Sequence, residues 1–130
     1  MSSRKKKLRI VVVDDSEFSR QTTVEVLNEA GFDVVGSFGS AEETLSFIKV
    51  AEADLYLLDV VMPEMSGIEL AKEVSGLMSE NRIIMMSSLN TESIVIESIS
   101  NGAIDFLPKP FEKDDLIRAV GKVAVDLEKD

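Results

Sequence analysis

Three acidic side chains and one lysine occupy equivalent places in the sequence, each at the end of a short apolar run. Asp59 ends one run, Asp14 and Asp15 end a second, and Lys109 closes a third. In an open parallel sheet such strand ends converge on one crevice, where folds of this kind place their chemistry. Two like charges at ~4 Å repel by about 1 kcal/mol in water and about 4 kcal/mol at an effective dielectric constant of 20. A divalent cation would convert this repulsion into shared attraction, so the pattern predicts a metal site.

The residue types at this site indicate phosphoryl chemistry. The chain has no cysteine and no histidine, so thiolate and imidazole ligands are excluded and any metal must be held by oxygen. Mg²⁺ fits best, with Mn²⁺ as an acceptable substitute, because Mg²⁺ takes one or two carboxylates and leaves room for a phosphate oxygen. Lys109 and Ser87 offer donors to phosphoryl oxygens, and an aspartate can accept a phosphoryl group. No glycine-rich nucleotide loop is present, so the phosphate must arrive on another donor.

Five apolar runs alternate with five stretches of helical length. The runs are short, rich in β-branched residues and apolar at successive positions, which is typical of strands buried on both faces. The runs cover residues 10–13, 32–36, 55–58, 83–86 and 104–107. The alternation predicts an α/β fold, a doubly wound five-stranded parallel sheet with five helices on both faces. Of the common orders for such sheets we expect the flavodoxin-like order 2-1-3-4-5.

Helix boundaries are indicated by capping and stop residues. Gly31 is a stop for the first helix, and Ser40 with Glu43 forms a capping box for the second. The other helices are expected over residues 66–78, from Thr91 to Gly102, and from Glu112 or Asp114 onward. The residues expected to share one face of the first helix are Phe18, Val26, Leu27 and Ala30.

Length and charge place the chain among one-domain, soluble cytoplasmic proteins. It has 130 residues, no stretch long enough to cross a bilayer and no apolar signal-peptide core. We expect a basic N-terminal tail over residues 1–7, acting as a solubilising start to the first strand, and one domain over residues 8–128. The net charge of −10 argues against direct binding to nucleic acid.

Across nearly its whole length the chain resembles the receiver domain of bacterial two-component response regulators. The matching segments are residues 11–16, residues 57–63 with Gly67, residues 85–88, and residues 109–111. The segments around Ser87, Phe106 and Lys109 look most like chemotaxis-type, CheY-like regulators.

The resemblance implies roles for the residues around the acidic crevice. Asp59 would be the phosphoacceptor and Asp15 a direct Mg²⁺ ligand. Asp14 would hold the ion mainly through water, and the backbone carbonyl of Val61 would complete the protein ligands. A histidine kinase would supply the phosphoryl group, so the protein would catalyse only its own phosphorylation and dephosphorylation and is not expected to be an enzyme otherwise.

The resemblance also implies a switch. Lys109 would pair with the phosphoryl group, Ser87 would move toward it, and Phe106 would fill the space behind. The face formed by the fourth helix, fifth strand and fifth helix would then signal to a downstream protein, with the chain a monomer or a phosphorylation-dependent dimer. A cis bond is expected before Pro110. A group of apolar residues in this region could form either surface or core: Ile96, Ile99, Phe106 and Val120.

Several alternatives remain open from the sequence. The chain could be a single-domain regulator or the receiver part of a chemotaxis methylesterase or another multidomain regulator. An aspartyl-phosphate hydrolase needs a second acid two residues after the nucleophile, where Val61 stands. A flavin module would place phosphate beside Asp14 and Asp15, which would repel it, and an inert receiver would not need the full set of site residues. Val61 and Leu89 are apolar, so we expect them to shield an acyl phosphate from water.

Overall fold

The computed structural model describes residues 7–77 and 82–128, so residues 1–6 of the predicted tail and Met78 of the predicted third helix lie outside it. Within these ranges five strands alternate with five helices. The strands are β1 Arg9–Val13, β2 Asp33–Phe38, β3 Leu55–Asp59, β4 Arg82–Ser87 and β5 Asp105–Pro108. The helices are α1 Glu17–Glu29, α2 Ala41–Val50, α3 Gly67–Leu77, α4 Glu92–Ser100 and α5 Lys113–Glu128.

The strands form one parallel sheet in the order β2-β1-β3-β4-β5, which confirms the predicted fold class and strand order. The register pairs Asp59 with Met86 and Ser87 with Pro108. The carboxyl ends of β1, β3, β4 and β5 therefore lie along the same edge of the sheet, where the predicted site residues follow.

Alternating side chains of the central strands build two cores, one on each face of the sheet. Val11 and Val13 contribute to the core covered by α2, α3 and α4, whereas Ile10 and Val12 contribute to the core covered by α1 and α5. The central strands β1, β3 and β4 are almost wholly buried. The prediction of burial on both faces was wrong for β2 and β5, because an edge strand has a neighbour on one side only.

Most strand boundaries differ from the prediction by one or two residues, and those of β2 and β5 are instructive. β2 does not end at Gly36 but continues to Phe38. A Cβ at Gly36 would lie 2.8 Å from the Phe38 ring, so this glycine makes room for a side chain of its own strand. Ile104, expected to begin β5, precedes the strand and is 53% exposed.

The buried face of α1 agrees with the prediction only in part, because Leu27 is fully buried as expected but other members of the predicted face are exposed. Phe18 is 83% exposed, and Ala30 is an exposed C-cap. The buried residues of α1 are Thr23 and Leu27, four positions apart on one helix face. The buried hydroxyl of Thr23 has a hydrogen-bond partner within the helix, because it donates to the Ser19 carbonyl at 3.0 Å.

The surface near α4 carries exposed apolar side chains. Ile96 is 57% exposed and Ile99 is 46% exposed. Phe106 is half-buried and packs against the core covered by α2, α3 and α4. Val120 is fully buried in the core covered by α1 and α5. Of the four residues that could have formed surface or core, the two on α4 are therefore surface. In the described ranges, no helix combines the length and apolarity needed to cross a membrane.

Candidate functional site

Three carboxylates meet at the carboxyl edge of the sheet. Asp14 follows β1, Asp15 comes next, and Asp59 is the last residue of β3. One oxygen from each lies within 4.8 Å of the others. Asp14 is fully buried and Asp59 nearly so, whereas Asp15 is exposed. The structure thus brings the three carboxylates predicted as metal ligands to one point, with one of them at the mouth of the crevice and two inside.

Lys109 reaches into this cluster from the end of β5. Its Nζ lies 2.7 Å from Asp14 Oδ2 and 3.2 Å from Asp59 Oδ2. The same Nζ donates to the hydroxyl of Ser19 at 3.1 Å. An ammonium group has three donors, so these three oxygens account for all of them. The peptide bond between Lys109 and Pro110 is cis, as the family resemblance implied.

The carboxylate of Asp14 is held by the start of α1. The Ser16 amide donates to Oδ1 at 3.0 Å, and the Ser19 hydroxyl donates to Oδ2 at 2.6 Å. The Arg20 guanidinium donates to the Asp14 backbone carbonyl at 2.7 Å. These contacts fix the plane and the backbone of Asp14 before any ligand binds.

Reasoning from the sequence missed Ser19 and Arg20. Both lie on a helix rather than at a strand end, and serine at a helix start is more often a cap than a site residue. A usable signal was present, because Ser19, Thr23 and Leu27 recur at intervals of four. Counting back from the buried Leu27 would have placed Ser19 on the face that meets the sheet.

Asp59 is bound more loosely than Asp14. Within the described part of the chain, its carboxylate accepts one long hydrogen bond besides that from Lys109, from the Val61 amide to Oδ1 at 3.3 Å. The loop that follows turns back tightly, with the Gly67 amide donating to the Val60 carbonyl at 2.8 Å. A Cβ at Gly67 would overlap the Asp59 backbone carbonyl, so this position requires glycine.

Ser87 ends β4 beside the crevice and is fully buried. Its Oγ accepts from the Leu89 amide at 2.9 Å, and its carbonyl accepts from the Lys109 amide at 2.9 Å. Among the described residues, no acceptor is found for the hydroxyl hydrogen of Ser87. That donor is therefore available to an incoming oxygen.

Three predicted residues lie farther from the carboxylates. Phe106 sits on β5 opposite Met85 and packs into the core, so the structure does not place it in the crevice. The side chains of Val61 and Leu89 are each about half exposed on the loops that follow β3 and β4. They are thus positioned on the rim rather than sealed over Asp59.

The crevice shifts the pKa values of its members in different directions. Burial raises the pKa of Asp59 to about 6, with Lys109 opposing this shift and Asp14 adding to it. Burial also acts to raise the pKa of Asp14, but hydrogen bonds led by that from Lys109 outweigh it and hold the value below normal. Burial acts to lower the pKa of Lys109, yet its bonds to the two carboxylates raise it overall.

The donor set fits a hard divalent cation. Three carboxylates against one ammonium leave a formal charge of −2 around a cluster of oxygens within 4.8 Å of one another. Oxygen ligands of this kind suit Mg²⁺ or Mn²⁺. Asp14, Asp15 and Asp59 would hold the ion, and the ion would offset their mutual repulsion.

This fold and crevice define a class of protein, the doubly wound α/β domains with an acidic site at the carboxyl edge of the sheet. The sequence profile of the response regulator receiver domain matches residues 10–121. The chain belongs to the response regulator receiver family. It is 38% identical over 114 residues to the chemotaxis protein CheY of Bacillus subtilis, covering 88% of this chain and 95% of that protein.

Two further similarities bear on the kind of receiver. The chain is 36% identical over 124 residues to the protein-glutamate methylesterase/protein-glutamine glutaminase of Clostridium acetobutylicum, covering 88% of this chain and 36% of that protein. The structure also resembles a chain of the CheX–CheY–BeF3–Mg²⁺ complex from Borrelia burgdorferi. There the TM-score is 0.83 and the identity 26%, covering 89% of this chain and 88% of the other.

Proposed function

We propose that Asp59 accepts a phosphoryl group from the phosphohistidine of a histidine kinase, with Mg²⁺ bound in the crevice. The observation that carries the proposal is the meeting of three carboxylates and Lys109 at one edge of the sheet. Asp14, Asp15, Asp59 and the Val61 carbonyl would hold the ion, and Mn²⁺ would serve in its place. The Mg²⁺ named in the Borrelia complex supports this assignment.

The chemistry follows from the bonding of each residue. A carboxylate oxygen of Asp59 attacks phosphorus while the bond from phosphorus to the imidazole nitrogen of the donor breaks, giving an acyl phosphate. Its weak hydrogen bonding leaves Asp59 available as the nucleophile. Lys109 redirects one of its N–H hydrogen bonds to a phosphoryl oxygen. The Ser87 hydroxyl, whose hydrogen has no acceptor in the described residues, donates to a second phosphoryl oxygen. Mg²⁺ held by Asp14, Asp15 and Asp59 would supply positive charge to the phosphoryl oxygens.

The output side of the proposal follows from the packing around Ser87. When its hydroxyl turns to the phosphoryl group, the bond from the Leu89 amide is lost and the loop before α4 is released. Phe106 packs beneath α4 and fills the space left behind. The α4–β5–α5 face then changes shape and signals to a downstream protein, in a two-state switch biased by local charge.

The setting is part of the same proposal. The protein acts in the cytoplasm, without direct contact to nucleic acid or membrane, as a monomer or a phosphorylation-dependent dimer. Its own phosphorylation and dephosphorylation are the only reactions it catalyses. Similarity to CheY across the chain favours a single-domain chemotaxis-type regulator. The methylesterase similarity supports the alternative of a receiver part of a longer protein, which an immunoblot of the native protein's size would distinguish.

The proposal is tested by intact-protein mass spectrometry after incubation with acetyl phosphate, with and without Mg²⁺. The wild type should gain one phosphoryl mass only with Mg²⁺, and Asp59→Asn should gain none. Asp126→Asn, which changes an exposed carboxylate on α5, is the matched control and should label like the wild type. Equal labelling of Asp59→Asn would contradict the assignment of the phosphoacceptor.

A further inference from the structure

The hydroxyl of Ser19 connects two site residues that come from different strands. It lies in the first turns of α1 and donates to Asp14 Oδ2 at 2.6 Å. It also accepts from Lys109 Nζ at 3.1 Å. Neither contact is needed to form the helix, because the Ser19 backbone amide is already capped by the Ser16 hydroxyl at 3.3 Å.

The direction of these hydrogen bonds is set by counting hydrogens. A hydroxyl has one hydrogen, whereas a lysine ammonium can only donate and an ionised carboxylate can only accept. The hydrogen of Ser19 therefore goes to Asp14, at a distance typical of a hydroxyl bound to a charged oxygen. Its lone pair remains for Lys109, and the chain of donors runs from Lys109 through Ser19 to Asp14.

The distances show what this arrangement does to Asp59. Lys109 Nζ is 2.7 Å from Asp14 but 3.2 Å from Asp59, so the ammonium is displaced toward the side where Ser19 lies. Ser19 thus accepts a hydrogen bond from one of the three N–H groups of Lys109. Without Ser19, that N–H group would turn to a carboxylate. Asp59 therefore has the longer and weaker contact with the lysine ammonium group.

We propose that Ser19 is a positioning residue of the phosphoacceptor site, and this rests on the function proposed above. It holds Lys109 against Asp14 in the resting state and keeps the Asp59 carboxylate open to the metal ion and the phosphoryl donor. When Lys109 turns to the phosphoryl group, the Ser19 hydroxyl remains on Asp14 and replaces part of the lost hydrogen bonding.

Removing the hydroxyl has a definite consequence. In Ser19→Ala the freed lysine donor lies beside two carboxylates, so Lys109 pairs more closely with Asp59 and competes with Mg²⁺. One net hydrogen bond corresponds to a change of about two- to tenfold in an equilibrium constant. We expect the Kd for Mg²⁺ to rise by that factor and labelling by acetyl phosphate to slow by a similar one.

Two variants separate positioning from folding. Ser19→Thr keeps the hydroxyl and should restore the Kd to within about twofold of the wild type. Thr22→Ala removes a hydroxyl from the same helix that donates only to the Phe18 carbonyl at 2.9 Å, so it should leave Mg²⁺ binding unchanged. Alanine is a good helix former, so α1 should persist in both alanine variants.

The experiment combines titration calorimetry with Mg²⁺ and NMR of metal-free protein carrying ¹⁵N-lysine. The Lys109 ammonium signal, assigned by its absence in Lys109→Ala, should be seen in the wild type and in Ser19→Thr but be broadened or shifted in Ser19→Ala. An unchanged Kd and unchanged ammonium signal in Ser19→Ala would overturn the role of Ser19 while leaving the phosphoacceptor assignment intact. A wild type that binds no Mg²⁺ would overturn both.

Discussion

At the scale of residues, the site separates two carboxylates that share one lysine. Asp14 receives hydrogen bonds from Ser16 and Ser19 in addition to its short contact with Lys109. Asp59 receives a longer lysine contact and one weak amide bond. Burial acts to raise the pKa of both carboxyl groups. The hydrogen bonds to Asp14 outweigh this effect and hold its pKa below the usual range, whereas the pKa of Asp59 rises to about 6. Of these two carboxylates, the one with fewer and longer hydrogen bonds is the one proposed to react.

This difference predicts how stability depends on pH. The pKa of Asp59 is about 6 in the folded protein against an ordinary value of 3.8, so ionisation of its carboxylate opposes folding. The associated stability is present below pH 4 and is lost as the pH rises through 6. Without metal, Asp59→Asn should match the wild type near pH 4 and exceed its free energy of unfolding by about 3 kcal/mol at pH 7.

Urea unfolding in EDTA at several pH values measures this difference, with Asp126→Asn as a control that should track the wild type. Added Mg²⁺ should stabilise the wild type at pH 7 and leave Asp59→Asn less affected, since the ion loses a ligand in the variant. A stability difference between Asp59→Asn and the wild type that does not vary with pH would contradict the burial argument.

Lys109 supplies a second prediction at this scale. In Lys109→Ala the carboxylates lose their resident positive charge, so Mg²⁺ should bind at least as tightly as in the wild type. Labelling by acetyl phosphate should slow by roughly a hundredfold, because a donor to the phosphoryl oxygens is missing. The exposed Lys122→Ala on α5 is the control for lost charge. Wild-type labelling rates in Lys109→Ala would argue against a role for this lysine in the reaction.

The strand-end residues of the site were predictable from sequence because their positions depend on the parallel sheet alone. Asp14, Asp59 and Lys109 each follow a run of apolar residues, and the sheet order brings them together. Ser19 and Arg20 were not predictable in this way. Their positions depend on the rotation of α1 against the sheet, and that rotation is set by packing of Thr23 and Leu27.

At the scale of elements, two helices end in the same motif. After α1, Phe32 donates to the Leu27 carbonyl at 3.0 Å while Gly31 has φ 90°. After α4, Ala103 donates to the Ser98 carbonyl at 3.1 Å while Gly102 has φ 117°. Both are Schellman caps, which require a left-handed residue after the helix. The sequence predicted these stops because glycine is the residue that adopts this backbone freely.

The two caps differ in the space around the glycine, and this predicts different costs. A Cβ at Gly31 meets nothing within 4 Å, so Gly31→Ala should lower the free energy of unfolding by about 1 kcal/mol through the backbone alone. A Cβ at Gly102 would overlap Ser75 Oγ, so Gly102→Ala should cost more. Gly121→Ala, inside α5 and with open space, should instead stabilise by about 1 kcal/mol.

Urea unfolding monitored by circular dichroism ranks these three variants. The order expected, from least to most stable, is Gly102→Ala, Gly31→Ala, wild type and Gly121→Ala. An equal decrease in the free energy of unfolding for Gly31→Ala and Gly102→Ala would show that the Ser75 side chain moves aside without loss of stability. That result would contradict the steric explanation.

Edge strands and helix rotation limited what could be predicted for the elements. A run of successive apolar residues does not distinguish a central strand from an edge strand, and β2 and β5 proved half-exposed. In the sequence Gly36 suggests the end of a strand. In the structure it leaves room for the ring of Phe38, a contact that the sequence alone does not reveal.

At the scale of the whole molecule, the sheet links the acidic crevice to the surface of α4. Ser87 joins the two, since its hydroxyl binds the Leu89 amide and its carbonyl binds the Lys109 amide. Within α4 only Ser98 is buried, whereas α3 and α5 each bury five residues. A helix with so little buried apolar surface is the element most readily displaced when the loop before it changes.

Phosphorylation of Asp59 is proposed to change a distant surface, and NMR of ¹⁵N-labelled amides observes the carboxylate and that surface together. Acetyl phosphate with Mg²⁺ should shift signals of Asp59 and Ser87 and also those of Ile96, Ile99 and Phe106. Asp59→Asn should show only the smaller shifts caused by Mg²⁺ near the crevice. Shifts confined to the crevice in phosphorylated wild type, or the full pattern in Asp59→Asn, would contradict the central claim that phosphorylation of Asp59 controls the α4–β5–α5 face.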